Sequence, residues 1–139
     1  QQDELPFQLS IGDGIEALMT AHIVTPDSGG QPASFAPALL AQLRRRFAGA
    51  LISDDLDMVG AATGSDYGAK VREALAAGLD CCLICNNFAA IERALGETYP
   101  TAAGRRERLA PLKRRHPPDP HLYKEAREIF NLWQENHGQ

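Results

Sequence analysis

Short apolar runs alternate with longer amphipathic segments through residues 5–96 of the chain. The apolar runs predict three buried strands, at residues 17–21, 50–52 and 79–85. The amphipathic segments predict a helix that ends near residue 15 and further helices at residues 37–47, 66–77 and 88–95. Because strands and helices alternate, the sequence predicts an α/β fold in which right-handed crossovers join parallel strands.

A three-stranded sheet is small for this fold class. Parallel sheets are covered by helices on both faces, and each unpaired edge exposes a row of backbone N–H and C=O groups. We therefore expect either that the chain self-associates through its open strand edges or that the rest of the fold lies elsewhere.

The pattern changes after residue 96. Residues 101–115 are basic and predict a helix, a proline-rich break follows, and residues 121–136 predict a final helix. We interpret residues 97–139 as a helical extension that packs on the preceding domain. The aromatic interleaving of single-strand binders is missing among its cations, so we expect a solvated helix face and no phosphate contact. These cations are Arg105, Arg106, Arg108, Lys113, Arg114 and Arg115.

Composition places the chain among ordinary globular domains. Its 139 residues suffice for one domain, with 44% apolar and 23% charged residues. The formal net charge of -4 provides no field that would recruit nucleic acid or an anionic membrane. No apolar run approaches the length of a membrane span, and residues 1–4 lack the features of a signal peptide. We expect no nucleic-acid or membrane partner.

The three cysteines, Cys81, Cys82 and Cys85, crowd into the third predicted strand. An odd, clustered set argues against a secreted disulfide framework and predicts a reducing compartment, which favours a cytoplasmic location. Cys82 and Cys85 have C-x-x-C spacing, but inside a strand such cysteines are more often packing thiols than zinc ligands or a redox pair. We expect no metal and no cofactor.

The strand predicted at residues 50–52 ends in three closely spaced carboxylates, those of Asp54, Asp55 and Asp57. In parallel α/β sheets, residues at the carboxyl ends of strands point into the ligand-binding crevice. Asp54 and Asp55 also suit a loop start or a helix cap, and single motif matches have a high false-positive rate. A weaker alternative is a metal-dependent phosphotransfer domain using all three carboxylates, which predicts tight binding of a divalent ion.

Several segments of the chain agree in order and spacing with the motifs of one family. Taken together, they make the chain resemble the family 3 glycoside hydrolases. The resemblance covers about residues 5–96 and points to the bacterial β-N-acetylhexosaminidases of peptidoglycan recycling. Each segment alone is weak, whereas their agreement in order is specific. The segments are Met19-Thr20-Ala21-His22-Ile23, Pro32-Ala33-Ser34, residues 52–61 (ISDDLDMVGA), and residues 76–80 followed by residues 83–87.

The resemblance implies a (β/α)₈ barrel of which residues 1–96 form only the last three units, β6 to α8. A complete barrel of this type needs about 250 residues, so the chain alone would be an incomplete barrel. The resemblance implies that the general acid/base is a His-Asp pair, in a Lys-His-Phe-Pro-Gly-His-Gly-Asp type loop after the fifth strand. No such segment occurs in this sequence.

The family nucleophile falls on Asp54. A retaining glycosidase needs a carboxylate there because it forms a covalent glycosyl-enzyme ester through an oxocarbenium-like transition state. Asp57 stands where relatives often carry serine, and we assign it no role. Asn86 and Asn87 follow the third strand and suit a turn better than a pocket wall.

Three further residues are candidate substrate contacts: His22, Met19 and Asp55. His22 would face the same crevice as Asp54, which suggests a general acid. The family that the chain resembles takes its general acid from the loop after the fifth strand. We therefore interpret His22 as sugar-contacting or loop-bracing, with a purely structural role as the alternative. For Met19 the alternative is core packing, and for Asp55 it is a helix or turn cap.

The resemblance therefore implies a retaining glycoside hydrolase that releases terminal β-linked N-acetylglucosamine from cell-wall-derived saccharides. We expect this chain to be a fragment of it, whose partner would be the missing N-terminal half of the barrel. The alternative is a non-catalytic half-barrel that self-associates.

Overall fold

Three parallel strands form one sheet in the computed structural model, which describes residues 3–61, 66–113 and 120–137. Strands β1 (Ala17–Met19), β2 (Ala50–Asp55) and β3 (Cys81–Leu83) lie in that order, so β2 is central. Both pairings are parallel, with Met19 opposite Ile52 and Ile52 opposite Cys81. The predicted α/β fold with a parallel sheet is confirmed.

Helices connect and flank these strands close to the predicted positions. Helix α4 begins and ends as predicted, whereas α2 is three residues shorter than its predicted range of 37–47. The helices of the described residues are α1 (Leu5–Gly12), α2 (Pro37–Arg44), α3 (Tyr67–Ala77), α4 (Phe88–Leu95), α5 (Arg105–Leu109) and α6 (Pro120–His137).

Local sequence sets the ends of the two helices that follow β2 and β3. Asp66 caps α3, since its Oδ1 accepts a hydrogen bond from Ala69 N–H at 2.8 Å. Asn87 caps α4 in the same way, accepting from Ala90 N–H at 3.0 Å. Gly78 ends α3 with φ of +122°, a conformation that residues with a side chain rarely adopt. These caps fix where each helix starts relative to the strand before it.

The hydrophobic core lies between β2 and the two helices α2 and α3. Leu51 in β2 and Leu40 in α2 are almost fully buried, as are Leu56 and Leu79 beside the sheet. Burying a side chain of this size stabilises the fold by about 1.5–3 kcal/mol. The central strand is therefore firmly held, and the residues that follow it start from a fixed position.

Large apolar side chains are exposed at the end of β1 and on helix α4. Met19 is 61% exposed at the end of β1, and Phe88 is 76% exposed on α4. A cavity of about 750 Å³ lies beside β1 and is lined by Phe7 of α1 and Leu43 of α2 among others. A second cavity, of about 370 Å³, lies between β3, α3 and α4. None of the described helices is both long and apolar enough to cross a membrane.

The segment after α4 differs from its prediction in two arginines. Arg108 donates to the buried carboxylate of Asp80, and Arg105 donates to the carbonyl oxygens of Leu75 and Leu79. The expectation of a fully solvated cationic face is therefore wrong for Arg105 and Arg108, because buried acceptors at the amino end of β3 require donors. Arg106 and Lys113 are exposed as expected, while Arg114 and Arg115 lie outside the described residues.

The last helix has its described side chains exposed, including those of Ile129 and Trp133. The side chain of Leu122 and the proline-rich break at residues 116–119 lie outside the described residues. That residues 97–139 pack on the domain as one extension stays a prediction.

Candidate active site

Strand β2 continues through the first two acidic residues that follow its apolar part. Asp55 pairs with Leu83, and the register between Ile52 and Asp55 contains an irregularity of the β-bulge type. Ser53 lies in the irregular stretch, fully buried, and its Oγ accepts a hydrogen bond from Leu83 N–H at 2.9 Å. Bulges of this kind change the direction of neighbouring side chains and are frequent next to active sites.

Asp54 and Asp55 lie side by side at the carboxyl end of β2 but differ in their partners. Asp55 Oδ1 accepts from the backbone N–H of Asp57 at 3.1 Å and from that of Cys85 at 3.0 Å. Within the described part of the chain, the hydrogen bond to the Asp54 carboxylate comes from the adjacent Asp55 N–H, at 2.8 Å. Asp54 is half-buried, as are Asp55 and Asp57.

Asp57 has the largest number of hydrogen bonds among the three carboxylates in the described residues. Its Oδ2 accepts from the backbone N–H groups of Asn86 and Asn87 at 3.0 and 3.1 Å. Its Oδ1 accepts from the Tyr67 hydroxyl at 2.6 Å. The Tyr67 bond and the two amides lower the pKa of Asp57, and the same bond raises the pKa of Tyr67. The sequence patterns give no role to Asp57 and do not single out Tyr67.

His22 follows β1 and braces the backbone of the neighbouring strand. Its Nε2 lies 3.1 Å from the carbonyl oxygen of Asp55, and its ring stacks on Phe35 with centroids 5.7 Å apart. The residue is 9% exposed, and its Nδ1 is buried without a partner in the described structure. This geometry is that of the loop-bracing alternative, and a sugar contact by His22 stays a prediction.

Met19 lies apart from this arrangement, on the free edge of β1, where it lines the larger cavity together with α1 and α2. Its role in substrate binding stays a prediction. Asn87 serves as the helix cap described above, which fits the turn expected there.

The cysteines of β3 and the turn after it are free thiols. Burial raises the pKa of Cys82 to about 12, which makes it a poor nucleophile and a poor metal ligand at neutral pH. The described residues contain no group of three or more His, Cys, Asp or Glu side chains placed to hold a metal ion.

The carboxyl end of the sheet thus brings together three partly exposed carboxylates, of which Asp55 and Asp57 accept from amides of the turn after β3 and Asp54 accepts from the adjacent Asp55 N–H. Asp55 and Asp57 hold the loop after β2 against the turn after β3, and His22 holds the same loop from the side of β1. A carboxylate group at the end of the central strand, such as that of Asp54, is of the type that attacks or stabilises an electron-poor carbon.

Comparison with known proteins gives a consistent family. The model of the glycosyl hydrolase family 3 N terminal domain matches residues 1–102. The β-hexosaminidase of Thiobacillus denitrificans is 42% identical over 88 residues, a match that covers 61% of this chain and 24% of the relative.

Two solved structures resemble the fold. NagZ from Neisseria gonorrhoeae, in complex with N-trifluoroacetyl-D-glucosamine, has a TM-score of 0.64 at 34% identity over 74% of this chain and 31% of NagZ. A family 3 β-N-acetylglucosaminidase from Paenibacillus sp. str. FPU-7 has a TM-score of 0.59 at 27% identity, covering 66% of this chain and 18% of that enzyme. The chain spans between 24% and 40% of the length of the curated relatives considered.

Proposed function

Because the chain belongs to glycosyl hydrolase family 3, we propose that it is the carboxyl-terminal part of a retaining β-N-acetylhexosaminidase catalytic barrel. The parent enzyme releases terminal β-linked N-acetylglucosamine from saccharides derived from the cell wall, in the cytoplasm. β-Hexosaminidases among the relatives and a NagZ structure that holds an N-acylglucosamine support this substrate class.

In this proposal β1, β2 and β3 are the sixth, seventh and eighth strands of a (β/α)₈ barrel. Two observations support this position: β1 and β3 are both unpaired on their outer side within the described sheet, and the apolar side chain of Met19 is exposed at the end of β1. The first five units would pair with β1 on one side and with β3 on the other, closing the barrel. They would also cover Met19 and the cavity beside β1.

The observation that carries the catalytic proposal is the difference between Asp54 and its neighbours. Asp55 and Asp57 each accept bonds from amides of the turn after β3, whereas in the described residues Asp54 accepts from its own neighbour and has no bond to that turn. Asp54 attacks the anomeric carbon as the bond to the leaving oxygen breaks, and a general acid from outside this chain protonates that oxygen. Water then cleaves the glycosyl ester and restores the Asp54 carboxylate.

The test uses a barrel-length protein, in which this chain follows the first five barrel units of the Pseudomonas aeruginosa relative, 40% identical over 98 residues. Hydrolysis of an aryl N-acetyl-β-glucosaminide is measured for this protein and for Asp54→Asn. We expect Asp54→Asn to lower kcat by at least about a thousandfold, because the amide neither attacks carbon nor balances its positive charge. The matched control Asp13→Asn changes an exposed residue in the turn after α1 and keeps full activity.

A direct measurement complements the kinetics. A fluorinated N-acetylglucosaminide slows hydrolysis of the ester, so mass spectrometry should find the sugar on the peptide that contains Asp54. A label on another residue, or full activity of a folded Asp54→Asn protein, would show that Asp54 is not the nucleophile.

The unpaired outer sides of β1 and β3 in the described sheet also favour a second candidate, the self-associating half-barrel. This form predicts a stable oligomer of the 139-residue chain that does not hydrolyse the substrate. Sedimentation of the chain alone, together with its activity, separates the two proposals. Turnover by the short chain would show that its own residues include the proton donor.

A further inference from the structure

Asp57 joins three segments that are distant in sequence. Its own loop follows β2, the amides of Asn86 and Asn87 belong to the turn between β3 and α4, and Tyr67 is the first residue of α3. The donors from the turn are 29 and 30 residues away from Asp57, and Tyr67 is 10 residues away. These bonds therefore fix tertiary geometry and do not simply cap a local turn.

The contacts around this carboxylate form a closed network. Asn87 caps α4 and also donates from its side-chain amide to the Tyr67 oxygen at 3.4 Å. Lys70 donates to the carbonyl oxygen of Leu56 at 3.2 Å and lies over the Tyr67 ring, 4.9 Å from its centroid. The charged groups that act on the Asp57–Tyr67 pair are thus Lys70, which favours the anion, and the carboxylate of Asp55.

A carboxylate suits this position for a physical reason. Two amide N–H groups converge on Oδ2, while a hydroxyl approaches Oδ1. A planar group with two acceptor oxygens can accept all three hydrogen bonds. The negative charge also lies at the amino end of α4, where the helix dipole favours it. A side chain with a single short hydroxyl cannot accept all three bonds in this arrangement.

Two carboxylates therefore fasten the segment that follows Asp54 to the turn after β3. Asp55 binds Cys85 N–H, and Asp57 binds the next two amides along that turn. On the opposite side His22 holds the Asp55 carbonyl. The peptide that carries Asp54 is thus restrained from both neighbouring strands.

We propose that Asp57 is a positioning residue, which together with Tyr67 holds the loop after β2 against α3 and α4 and so fixes the direction of the Asp54 carboxylate. This inference rests on the proposed function, because the geometry that it fixes is that of the proposed nucleophile. Asp57 itself does not touch the reacting atoms.

The test compares Asp57→Ser, Asp57→Asn and Tyr67→Phe in the barrel-length protein, with the exposed Asp13→Ser as a matched control. Asp57→Ser removes two acceptor positions, and we expect kcat per folded molecule to fall about 10- to 100-fold, with KM within about twofold. In Asp57→Asn the amide oxygen still accepts from the turn and the amide nitrogen donates to Tyr67. It should therefore retain kcat within about threefold of the unaltered protein.

A second readout is independent of catalysis. Absorbance titration of the tyrosines, assigned by the Tyr67→Phe difference, should place the pKa of Tyr67 above its ordinary value. That pKa should decrease in Asp57→Asn, because the amide carries no charge to oppose the phenolate. A normal pKa for Tyr67 in the unaltered protein would show that the Asp57–Tyr67 bond is absent and would overturn the proposal.

The kinetic outcomes separate this proposal from the function on which it rests. If the folded, unaltered protein does not hydrolyse the glycoside, the proposed function is wrong, and the tyrosine titration alone decides whether Asp57 holds the loop. If that protein is active and Asp57→Ser keeps its kcat, the positioning role is wrong while the proposed function stands. A loss of kcat in Asp57→Ser that Asp57→Asn restores supports the proposal.

Discussion

Arg108 donates from both Nε and Nη2 to Oδ1 of Asp80, at 3.0 and 2.6 Å, across 28 residues of chain. Arg44 Nη2 and Leu51 N–H donate to the other oxygen at 2.6 and 2.9 Å. The Asp80 side chain is 1% exposed, so the carboxylate depends on these partners for its stability in the core. This cluster lies at the amino end of β3, whereas Asp54 lies at the carboxyl end of β2, on the opposite side of the sheet. It attaches the segment after α4 to the sheet.

The first prediction is that Asp80→Ala lowers the free energy of unfolding of the barrel-length protein by about 3 kcal/mol. The substitution leaves two partly buried guanidinium groups without their shared acceptor, and breaking a buried pair has a cost of this order. Thermal unfolding followed by circular dichroism measures the effect. Asp13→Ala, at an exposed position, should change the stability by less than about 0.5 kcal/mol.

The same cluster predicts the direction of a pH dependence. Burial alone would raise the pKa of Asp80, but the bonds from Arg108, Leu51 N–H and Arg44 outweigh it and lower the pKa. A carboxylate whose pKa is lower in the folded state stabilises the fold above its unfolded pKa, about 3.9, and loses that contribution as the pH falls through its folded pKa. The stability difference between the unaltered protein and Asp80→Asn should therefore shrink below about pH 4. A difference that stays constant down to about pH 2 would contradict the predicted shift.

The hydrophobic pattern is sufficient to predict the order of the helices and strands and many of their ends. Helix α4 begins after the Asn87 cap and α3 ends at Gly78, because caps and stops are local signals in the sequence. Strand β2 extends three residues beyond its predicted apolar run. That extension depends on Ser53, whose hydroxyl replaces a missing backbone acceptor for Leu83 N–H, and apolar periodicity does not detect such a bond.

The candidate site could likewise be predicted only where it depends on local sequence signals. The position of Asp54 and Asp55 at a strand end follows from the pattern, and the resemblance to the family added a role for Asp54. The partners of Asp57 and Asp80 do not follow from local patterns, because Tyr67 is 10 residues from Asp57 and the Asn86 and Arg108 donors are 29 and 28 residues from their acceptors. One signal was available for Asp80: a single acid inside the apolar run at residues 79–85 requires buried donors, and the following segment is rich in arginine.

The next prediction concerns His22 as a brace and not as a proton donor. His22→Ala removes the bond to the Asp55 carbonyl and the contact with Phe35, so both thermal stability and kcat should decrease, with kcat about 10-fold lower. His22→Gln places an amide N–H near the position of Nε2 and should restore most of kcat.

The dependence of kcat on pH distinguishes the two roles of His22. If His22 only braces the loop, the profile of His22→Gln keeps both limbs of the unaltered protein, since the acid that protonates the leaving group is elsewhere. Loss of the alkaline limb in His22→Gln, combined with loss of turnover, would identify His22 as the general acid and would remove the need for one outside this chain.

The final prediction is that the three cysteines behave as packing thiols of very unequal reactivity. Burial raises the pKa of Cys82 to about 12 and also raises that of Cys81, so little of either is thiolate at neutral pH. Cys85 is exposed, although reduced hydration and the Asp55 carboxylate raise its pKa as well. Iodoacetamide should alkylate Cys85 first, although slowly, and Cys82 last, as followed by mass spectrometry. Cys85→Ser should abolish the first alkylation. Formation of a Cys82–Cys85 disulfide under mild oxidation would instead show that the C-x-x-C pair is redox-active, because two such thiols would have to leave their present environments in order to react.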